Sequence, residues 1–426
     1  MREMMRQAMA QLRSQKMLTV VGITGTALSI FLIMVVVMLQ QVKVAPYAPV
    51  SNRPRMLFAK YASIFVENTP YQSNGPMSYK SAKELYGNLE TAERTTIFAS
   101  YLTDATMKVT GGRPIGADML ATDGEFWNVY DFTFLAGKPY DQTAVDAEQR
   151  VAVIDESTAR RLFGSTDVAG REFQLNHSPY TVAGVVRDVS SLADECFAHV
   201  WVPLTTTLLL GNVWNNELMG SFSAAVLAKS SDDFDAIREE CDRRMTAYNK
   251  AVKETNWQFI SRGRPYTKEE TLVAQWANIE PDLKTYRRDR LIVFLILLIV
   301  PAINLSGMTE SRMRQRREEI GVRRAFGCKR STLLMQLFGE NLLITVVAGL
   351  IGWALSVGFA YLFSTMLFLE GYSNTLTMPK VSLEMLVQPS TFAWALGFCF
   401  VLNLLSTGVP AWKASRTNIV NAINKK

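Results

Sequence analysis

The sequence predicts an α-helical membrane protein with four transmembrane helices in a 1 + 3 arrangement and a large mixed α+β extracytoplasmic domain of two lobes on a helical stalk. Three observations lead to this fold class. Four long stretches of the 426 residues are apolar and almost free of charge. The first and second of them are separated by a segment long enough to form its own core. Lysine and arginine are concentrated in the short segments that flank the stretches.

The four apolar stretches are long enough to cross a bilayer. A helix rises 1.5 Å per residue, so about 20 apolar residues span the hydrocarbon core. The stretches contain 23, 18, 28 and 19 residues, at 17–39, 291–308, 342–369 and 391–409. The basic residues before the first stretch would also suit a cleaved signal peptide, but its apolar run is longer than such peptides usually have.

The charge distribution predicts the orientation. The N-terminal segment, the 310–331 loop and the tail after Pro410 carry 4, 8 and 4 Lys and Arg residues, against four acidic residues in all. Residues 41–289 carry 27 basic and 32 acidic residues. The positive-inside rule therefore places both termini and the loop in the cytoplasm and the large segment outside. Because topology explains the pI of about 9.0, this value does not favour nucleic-acid binding.

Local patterns in the outer segment predict mixed α and β structure. Strands are expected at residues 150–155, 171–175, 180–186 and 199–204, with a hairpin turn at 176–179. A helix is predicted over residues 156–163, ending at Gly164. Pro281 suits the first turn of a further helix, which we expect to run unbroken through Tyr286 into the second span as a stalk.

A second amphipathic helix is predicted behind Ser231 and Asp232. Apolar residues recur there at helical spacing, which indicates one buried face in a second lobe. This face comprises Phe234, Ile237, Cys241, Met245, Tyr248 and Val252.

No catalytic or metal site is predicted in the outer segment. It contains two histidines and two pairs of adjacent acids, His177, His199, Asp194, Glu195, Asp232 and Asp233. Neither histidine has a cysteine or carboxylate at ligand spacing, so both are interpreted as surface or structural residues. The acids are interpreted as solvated or helix-start residues, since adjacency alone does not make a catalytic pair. A disulfide between Cys196 and Cys241 stays open, because both would face an oxidising compartment.

The cytoplasmic loop is the strongest indication of function. Eight of the nineteen residues at 312–330 are basic, and residues 318–327 are predicted to form a short helix ending at Gly327. Ser331 or Thr332 would then cap the helix of the third span. The loop could bind a cytoplasmic protein, or it could lie against anionic lipid headgroups as a topogenic loop. The physical properties of the loop support both interpretations equally.

Several motifs resemble those of a known family. Residues 319–327 (EIGVRRAFG), the helix that follows them with its glycines at 349–352, and residues 409–416 are similar to FtsX-like ABC permeases. The outer segment resembles the MacB-type periplasmic core domain through motifs at 137–140, 151–154, 161–164, 168–170 and 182–186. The resemblance covers all four spans and at least residues 123–207, and it is looser over residues 41–122 and 208–280.

The resemblance implies a mechanism of mechanotransmission in a bacterial inner membrane. Two such permease subunits, identical or related, pair, and each presents its loop to a cytoplasmic ABC ATPase whose closure moves the stalks and outer domains. The residues implied to carry this coupling are Glu319, Ile320, Gly321, Arg323, Arg324, Ala325 and Gly327. The sequence departs from the family pattern at Phe326 and Cys328, which leaves open which ATPase is the partner.

The sequence contains no phosphate-binding G-x-x-x-x-G-K-[ST] motif, because its one Gly-Lys pair is followed by Pro139. We therefore expect no enzyme activity, no metal and no directly bound cofactor in this chain, with ATP used by a separate subunit.

Small and polar residues in the spans suit helix packing. Gly22, Gly25, Ser29, Ala354 and Gly358 would allow close approach within one subunit or across a dimer. The asparagines at 304 and 403 are expected to bond to neighbouring helices rather than to line a transport path.

Three functions follow from these patterns. The first is a permease subunit for efflux or for lipoprotein or peptide export, with a periplasmic adaptor and an outer-membrane channel as further partners. The second is an FtsX-like regulator that activates a periplasmic cell-wall hydrolase. The third is a membrane-anchored sensor or scaffold, which would not need the coupling-like loop.

The predicted boundaries are a cytoplasmic segment at 1–16, spans at 17–39, 286–309, 333–369 and 391–410, the outer domain with stalk at 40–285, the coupling loop at 310–332, a short outer loop at 370–390 and a cytoplasmic tail at 411–426.

Overall fold

Long helices and a strand-rich segment form separate parts of the chain. The computed structural model describes residues 16–315, 322, 326–368 and 381–415. One unit contains the long helices before residue 43 and after residue 286, and the other is formed mainly by Lys43–Tyr286.

The α-helices are α1 Lys16–Gln41, α2 Tyr79–Tyr86, α3 Phe126–Val129, α4 Gln142–Asp146, α5 Glu156–Phe163, α6 Phe234–Ala251, α7 Lys268–Val273, α8 Leu283–Gln315, α9 Arg330–Leu362, α10 Ser364–Phe368, α11 Leu383–Leu386 and α12 Pro389–Ser415. The strands are β1 Met56–Ala59, β2 Ala62–Val66, β3 Gln72–Gly75, β4 Arg94–Ala99, β5 Thr103–Lys108, β6 Ile115–Thr122, β7 Phe134–Gly137, β8 Val151–Asp155, β9 Glu172–Leu175, β10 Ser178–Val186, β11 Val200–Pro203, β12 Phe222–Leu227 and β13 Trp257–Ile260.

Two of the described helices are long and apolar enough to cross a membrane. They are Val20–Gln41 within α1 and Asn341–Leu362 within α9. A shorter apolar helix, Ser390–Ser406, lies within α12.

The helical unit is packed through glycines of α9. A Cβ atom on Gly352 would lie 2.5 Å from the carbonyl oxygen of Ala27 in α1, and one on Gly349 would lie 2.2 Å from Sγ of Cys399 in α12. By contrast, a Cβ on Gly25 or Gly358 would have no neighbour within 4 Å. Within this chain, Gly349 and Gly352 therefore allow close approach of the helices, whereas Gly25 and Gly358 do not.

Polar side chains also join these helices. Asn403 is buried in α12, and its Nδ2 donates to the carbonyl oxygen of Phe338 in α9 at 3.4 Å. This contact confirms the prediction for Asn403, whereas the side chain at 304 lies outside those described. Thr391 donates to Oε1 of Gln41 at 2.8 Å, which links α12 to the end of α1.

The second unit is built on a ten-stranded sheet in the order β1-β12-β4-β6-β11-β8-β10-β9-β5, with β7 on β10. Strand β5 pairs with both β9 and β6, so six of the strands form a closed ring. A separate three-stranded sheet has the order β13-β2-β3. Both sheets belong to one compact unit, so the two predicted lobes are not separate units.

The elements predicted between residues 150 and 204 are confirmed. Helix α5 is capped by Asp155, whose carboxylate accepts from the N–H of Thr158 at 2.8 Å, and it ends at Gly164 with φ +74°. Strands β9 and β10 form the predicted hairpin. Its turn consists of Asn176 and His177, whose φ values of +47° and +69° are typical of a two-residue type I′ turn.

Helix α6 has most of its predicted apolar face buried, namely Ile237, Cys241, Met245 and Tyr248. It begins at Phe234, behind Ser231 and Asp232 as predicted, and Ser230 and Asp233 form a capping box in the preceding 3₁₀ turn. Cys241 and Cys196 are both buried free thiols, so no disulfide joins them.

Candidate functional site

The predicted coupling segment lies between α8 and α9. Of its implied coupling residues, Gly327 is described, whereas Glu319, Ile320, Gly321, Arg323, Arg324 and Ala325 lie outside the described residues. Their coupling role stays a prediction.

The end of the segment has the expected backbone geometry. The N–H of Phe326 donates to the carbonyl oxygen of Val322 at 3.1 Å, which is the bond of one helical turn. Gly327 follows with φ +88°, the left-handed conformation that favours glycine after a helix. The Phe326 side chain is 87% exposed, so a large apolar group is displayed beside this turn.

The cap predicted for the third span is wrong. Helix α9 begins at Arg330, and its N-cap is Lys329, with no hydrogen bond from a capping side chain. Ser331 and Thr332 therefore lie inside the first turn of the helix. The helix can begin without a side-chain cap because its first residues are exposed, so water can satisfy their N–H groups.

The predicted stalk is one uninterrupted helix of 33 residues, α8. Its first turn is capped by Asp282, whose Oδ1 accepts from the N–H of Thr285 at 3.0 Å. The helix contains the boundary between the two units, which falls between Tyr286 and Arg287. The prediction that the helix continues through Tyr286 is confirmed.

A buried ion cluster lies close to the first and last residues of the outer unit. Arg53 is 3% exposed and forms a bidentate pair with Glu195, with N–O distances of 2.8 and 3.1 Å. Its Nη1 also donates to the carbonyl oxygen of Ala45 at 3.0 Å. Lys268, the first residue of α7, pairs with Glu195 at 3.2 Å and with Asp194. The cluster thus joins the segment leaving α1, the loop at 192–195 and the helix α7 that precedes the stalk.

The cluster is held in its charged form. Burial would lower the pKa of Lys268, but the carboxylates of Asp194 and Glu195 outweigh burial and raise it above its ordinary value. In the same way, burial would lower the pKa of Arg53, and Glu195 raises it instead. Because each buried charge has a partner of opposite sign, the cluster can hold three chain segments in a fixed arrangement.

The prediction that Asp194 and Glu195 are solvated or helix-start residues is wrong for Glu195, which is buried and paired with two cations. Arg53 lies 142 residues away in the chain, so no local pattern could have revealed the pair.

One of the two histidines is exposed and the other is buried. His177 lies in the exposed hairpin turn. His199 is buried, and its Nδ1 accepts from the N–H of Asp118 at 3.0 Å. Among the described residues, no group of three or more His, Cys, Asp or Glu side chains could hold a metal ion.

Comparison with family models identifies both parts of the chain. Residues 17–244 match the MacB-like periplasmic core domain, and residues 291–419 match the FtsX-like permease C-terminal domain. The chain belongs to the FtsX-like permease family. This FtsX-like permease is therefore a membrane protein of the ABC transporter permease class, with a MacB-like core domain of mixed α and β structure.

Curated relatives include the macrolide export ATP-binding/permease protein MacB of Escherichia coli O157:H7, which is 25% identical over 316 residues. The protein of the same name from Shigella flexneri is 24% identical over 316 residues. In both cases the match covers 73% of this chain and 44% of the relative. The FtsX-like permease thus corresponds to less than half of the length of these relatives.

Two solved structures are also similar. The periplasmic region of MacB from Actinobacillus actinomycetemcomitans is 18% identical, with a TM-score of 0.33, and the match covers 47% of this chain and 88% of that one. A domain of a putative permease protein from Porphyromonas gingivalis is 16% identical, with a TM-score of 0.36, and the match covers 53% of this chain and 96% of that one.

Proposed function

We propose that this FtsX-like permease couples ATP hydrolysis by a separate ATPase subunit to conformational change of its outer domain. The observation that carries the proposal is the order of the two family matches, with the core domain first and the permease domain second. Efflux, or export of a lipoprotein or peptide, is the work that such motion would drive. The relatives named as macrolide export proteins favour efflux.

Helix α8 supports a mechanical route between the two parts. A 33-residue helix is about 50 Å long at 1.5 Å per residue. It runs from the end of the outer unit to the start of the basic loop without a break. A continuous helix transmits a displacement of one end to the other, whereas a flexible linker would absorb it.

The basic loop is the proposed docking site for the ATPase. Residues 318–327 contain both acids and arginines, and the exposed Phe326 offers an apolar anchor beside them. A loop that only oriented the protein would need positive charge but would not need this apolar group or the left-handed turn at Gly327.

A charge reversal in the loop tests the coupling. The permease with Glu319→Lys and Arg323→Glu is reconstituted with its ATPase, and we expect stimulation of ATP hydrolysis to be lost while insertion is unchanged. The matched control is Lys253→Glu with Glu254→Lys, which reverses an exposed pair in the outer unit. Full stimulation with the loop variant would contradict the coupling, and loss with the control would show a general effect of charge.

The proposed topology has four spans, both termini inside and the large domain outside. A membrane-impermeant maleimide tests it through Cys328 in the loop and through Leu208→Cys in the outer unit, where Leu208 is 95% exposed. In intact cells with a permeabilised outer membrane, we expect labelling of position 208 alone. In inverted membrane vesicles we expect labelling of Cys328 alone. The reverse pattern would contradict the orientation.

A further inference from the structure

The outer unit contains a cavity of about 700 Å³ beneath helix α7. One side is formed by neighbouring strands of the large sheet, which contribute Phe58, Phe98, Leu120 and Ala224. The other side is formed by α7 and by the segment after it, which ends with Trp276. The volume lies within the range of roughly 300–1,000 Å³ that is usual for small-molecule sites.

The walls of the cavity combine buried apolar groups with exposed aromatic ones. Phe58, Phe98 and Leu120 are all at most 6% exposed, so the sheet side is apolar. Trp276 and Tyr101 are 68% and 51% exposed, although both line the same cavity. Large aromatic surfaces left open to water beside an apolar cavity are typical of a site that a ligand covers.

The charges that line the cavity are unbalanced. The lining residues include four cations and two carboxylates, Lys43, Lys60, Arg264, Lys268, Asp194 and Glu195. Both carboxylates pair with Lys268, and Glu195 also pairs with Arg53 outside the cavity. The acids are therefore already compensated, and the lining contains two more cations than carboxylates.

Arg264 is the clearest sign of a missing partner. It is 3% exposed, and one nitrogen, Nη2, donates to the carbonyl oxygen of Ala277. Its Nη1 is buried without a hydrogen-bond acceptor among the described residues. Among the described residues, Arg264 forms no ion pair with a carboxylate, and burial lowers the pKa of its guanidinium. A buried guanidinium with one unsatisfied nitrogen and no paired carboxylate is costly, so a bound anion would stabilise it.

We propose that this cavity binds an amphipathic anion, which is a carboxylate or phosphate group carried on an apolar body. The anionic group pairs with Arg264, and Lys60 adds positive charge to the lining of the cavity. The apolar body packs against Phe98, Leu120 and Trp276. Lipids, fatty acids and acylated peptides share this chemistry. The proposal does not depend on an ATPase partner, so it can fail or hold independently of the function proposed above.

The test uses the full-length protein in phosphatidylcholine nanodiscs and measures binding by equilibrium dialysis, with empty nanodiscs as the blank. The probes are octyl phosphate, octanoate, octyltrimethylammonium and inorganic phosphate. We expect saturable binding of octyl phosphate or octanoate, no saturable binding of the cation, and much weaker binding of inorganic phosphate. Preference for the phosphate would indicate a lipid headgroup, and preference for octanoate would indicate a fatty-acid or peptide carboxylate; each supports the site.

Substitutions locate the binding in the cavity. Lys60→Gln should weaken binding about three- to fivefold, which is the size expected for an exposed charge interaction. Trp276→Ala should weaken it about tenfold through lost apolar contact. Arg264→Gln should weaken it more than about tenfold, since a charge-assisted hydrogen bond is lost. Lys253→Gln removes an exposed lysine away from the cavity and should have no effect.

Equal saturable binding of the cationic and anionic probes would overturn the proposal, because charge would not matter. So would unchanged binding in Lys60→Gln and Trp276→Ala. These two side chains are exposed at the surface, so their loss should leave the fold intact and the test valid even if Arg264→Gln fails to fold.

Discussion

Glu240 is a buried carboxylate on the apolar face of helix α6. Its two oxygens accept from the backbone N–H groups of Glu90 and Thr91 at 3.1 and 3.0 Å and from the Thr91 hydroxyl at 2.7 Å. Arg244 lies 2.8 Å away, one turn along the helix. Burial alone would raise the pKa of Glu240, but these hydrogen bonds and Arg244 lower it below its ordinary value.

The lowered pKa of Glu240 determines the direction in which the free energy of unfolding changes with pH. Above the pKa of the unfolded state, Glu240 is ionised in both states and its stabilisation is fully present. As the pH falls toward the folded-state pKa, the unfolded state takes up the proton first, so the free energy of unfolding decreases. We expect Glu240→Gln to lower stability at neutral pH by about 1–3 kcal/mol, because an amide nitrogen cannot accept from a backbone N–H.

The measurement is the reactivity of Cys241, the neighbouring buried thiol, in increasing urea, with the modified peptide quantified by mass spectrometry. In Glu240→Gln, Cys241 should become reactive at a lower urea concentration. Below pH 5, the free energy of unfolding of this variant should also decrease less with falling pH. The matched control is Glu239→Gln, whose side chain is exposed. Equal behaviour of the two variants would show that the hydrogen bonds at Glu240 do not stabilise the domain.

The ion cluster around Glu195 leads to a second prediction for a single residue. Glu195→Gln leaves Arg53 buried without a counter-charge, and we expect a loss of about 3–5 kcal/mol in the free energy of unfolding. Asp194→Asn should cost less, because the Asp194 side chain is 56% exposed. Combining Arg53→Met with Glu195→Leu should recover much of the loss, since the Arg53–Glu195 pair is then removed and Lys268 keeps Asp194 as its partner. Tryptophan fluorescence monitors the unfolding of all three variants. The pairing would be contradicted if the free-energy losses of the two single substitutions simply added up in the double variant.

Helix α9 is the element that packs the helical unit, and two of its glycines differ in a testable way. A side chain at Gly352 would overlap the carbonyl oxygen of Ala27, whereas one at Gly358 would meet open space. Gly352→Val should therefore separate α9 from α1 and reduce the yield of folded protein severalfold, while Gly358→Val should be tolerated. Fluorescence-detected size-exclusion chromatography after heating compares them, and similar melting of both variants would count against close packing at Gly352.

At the level of elements, features that depend on neighbouring residues were predicted correctly, whereas contacts between residues distant in the chain were not predicted. The glycine stop of α5 and the turn between β9 and β10 depend on neighbouring residues, so the sequence predicted them correctly. The closure of the sheet depends on β5 pairing with both β6 and β9, and the Arg53–Glu195 pair joins residues 142 apart. The structural role of Glu240 was not predicted, because its hydrogen-bond donors, Glu90 and Thr91, lie about 150 residues away in the chain. From the sequence alone, a single carboxylate on an apolar helix face has no evident partner.

At the scale of the whole molecule, the central question is how a change in one part reaches the other. The described chain leaves the outer unit through α8, and within that unit the buried cluster joins the early segment at Arg53 to Lys268 in α7. A continuous helix that follows a fixed segment can pass on a displacement that a flexible linker would absorb.

Breaking α8 tests this route, and Arg288→Ala controls for the loss of the Arg288 charge. Arg288 is exposed in the helix, and Arg288→Pro removes a backbone donor and kinks the helix at a cost of about 3 kcal/mol. A fluorophore on Leu208→Cys reports motion of the outer unit in the complex with the ATPase. We expect ATP to change its emission in the otherwise unmodified protein and in Arg288→Ala, which keeps the helix. In Arg288→Pro the ATP-dependent change should disappear while ATP hydrolysis continues. If the proline variant still responds, the outer unit receives the signal by a path other than α8, and the stalk is a passive connector.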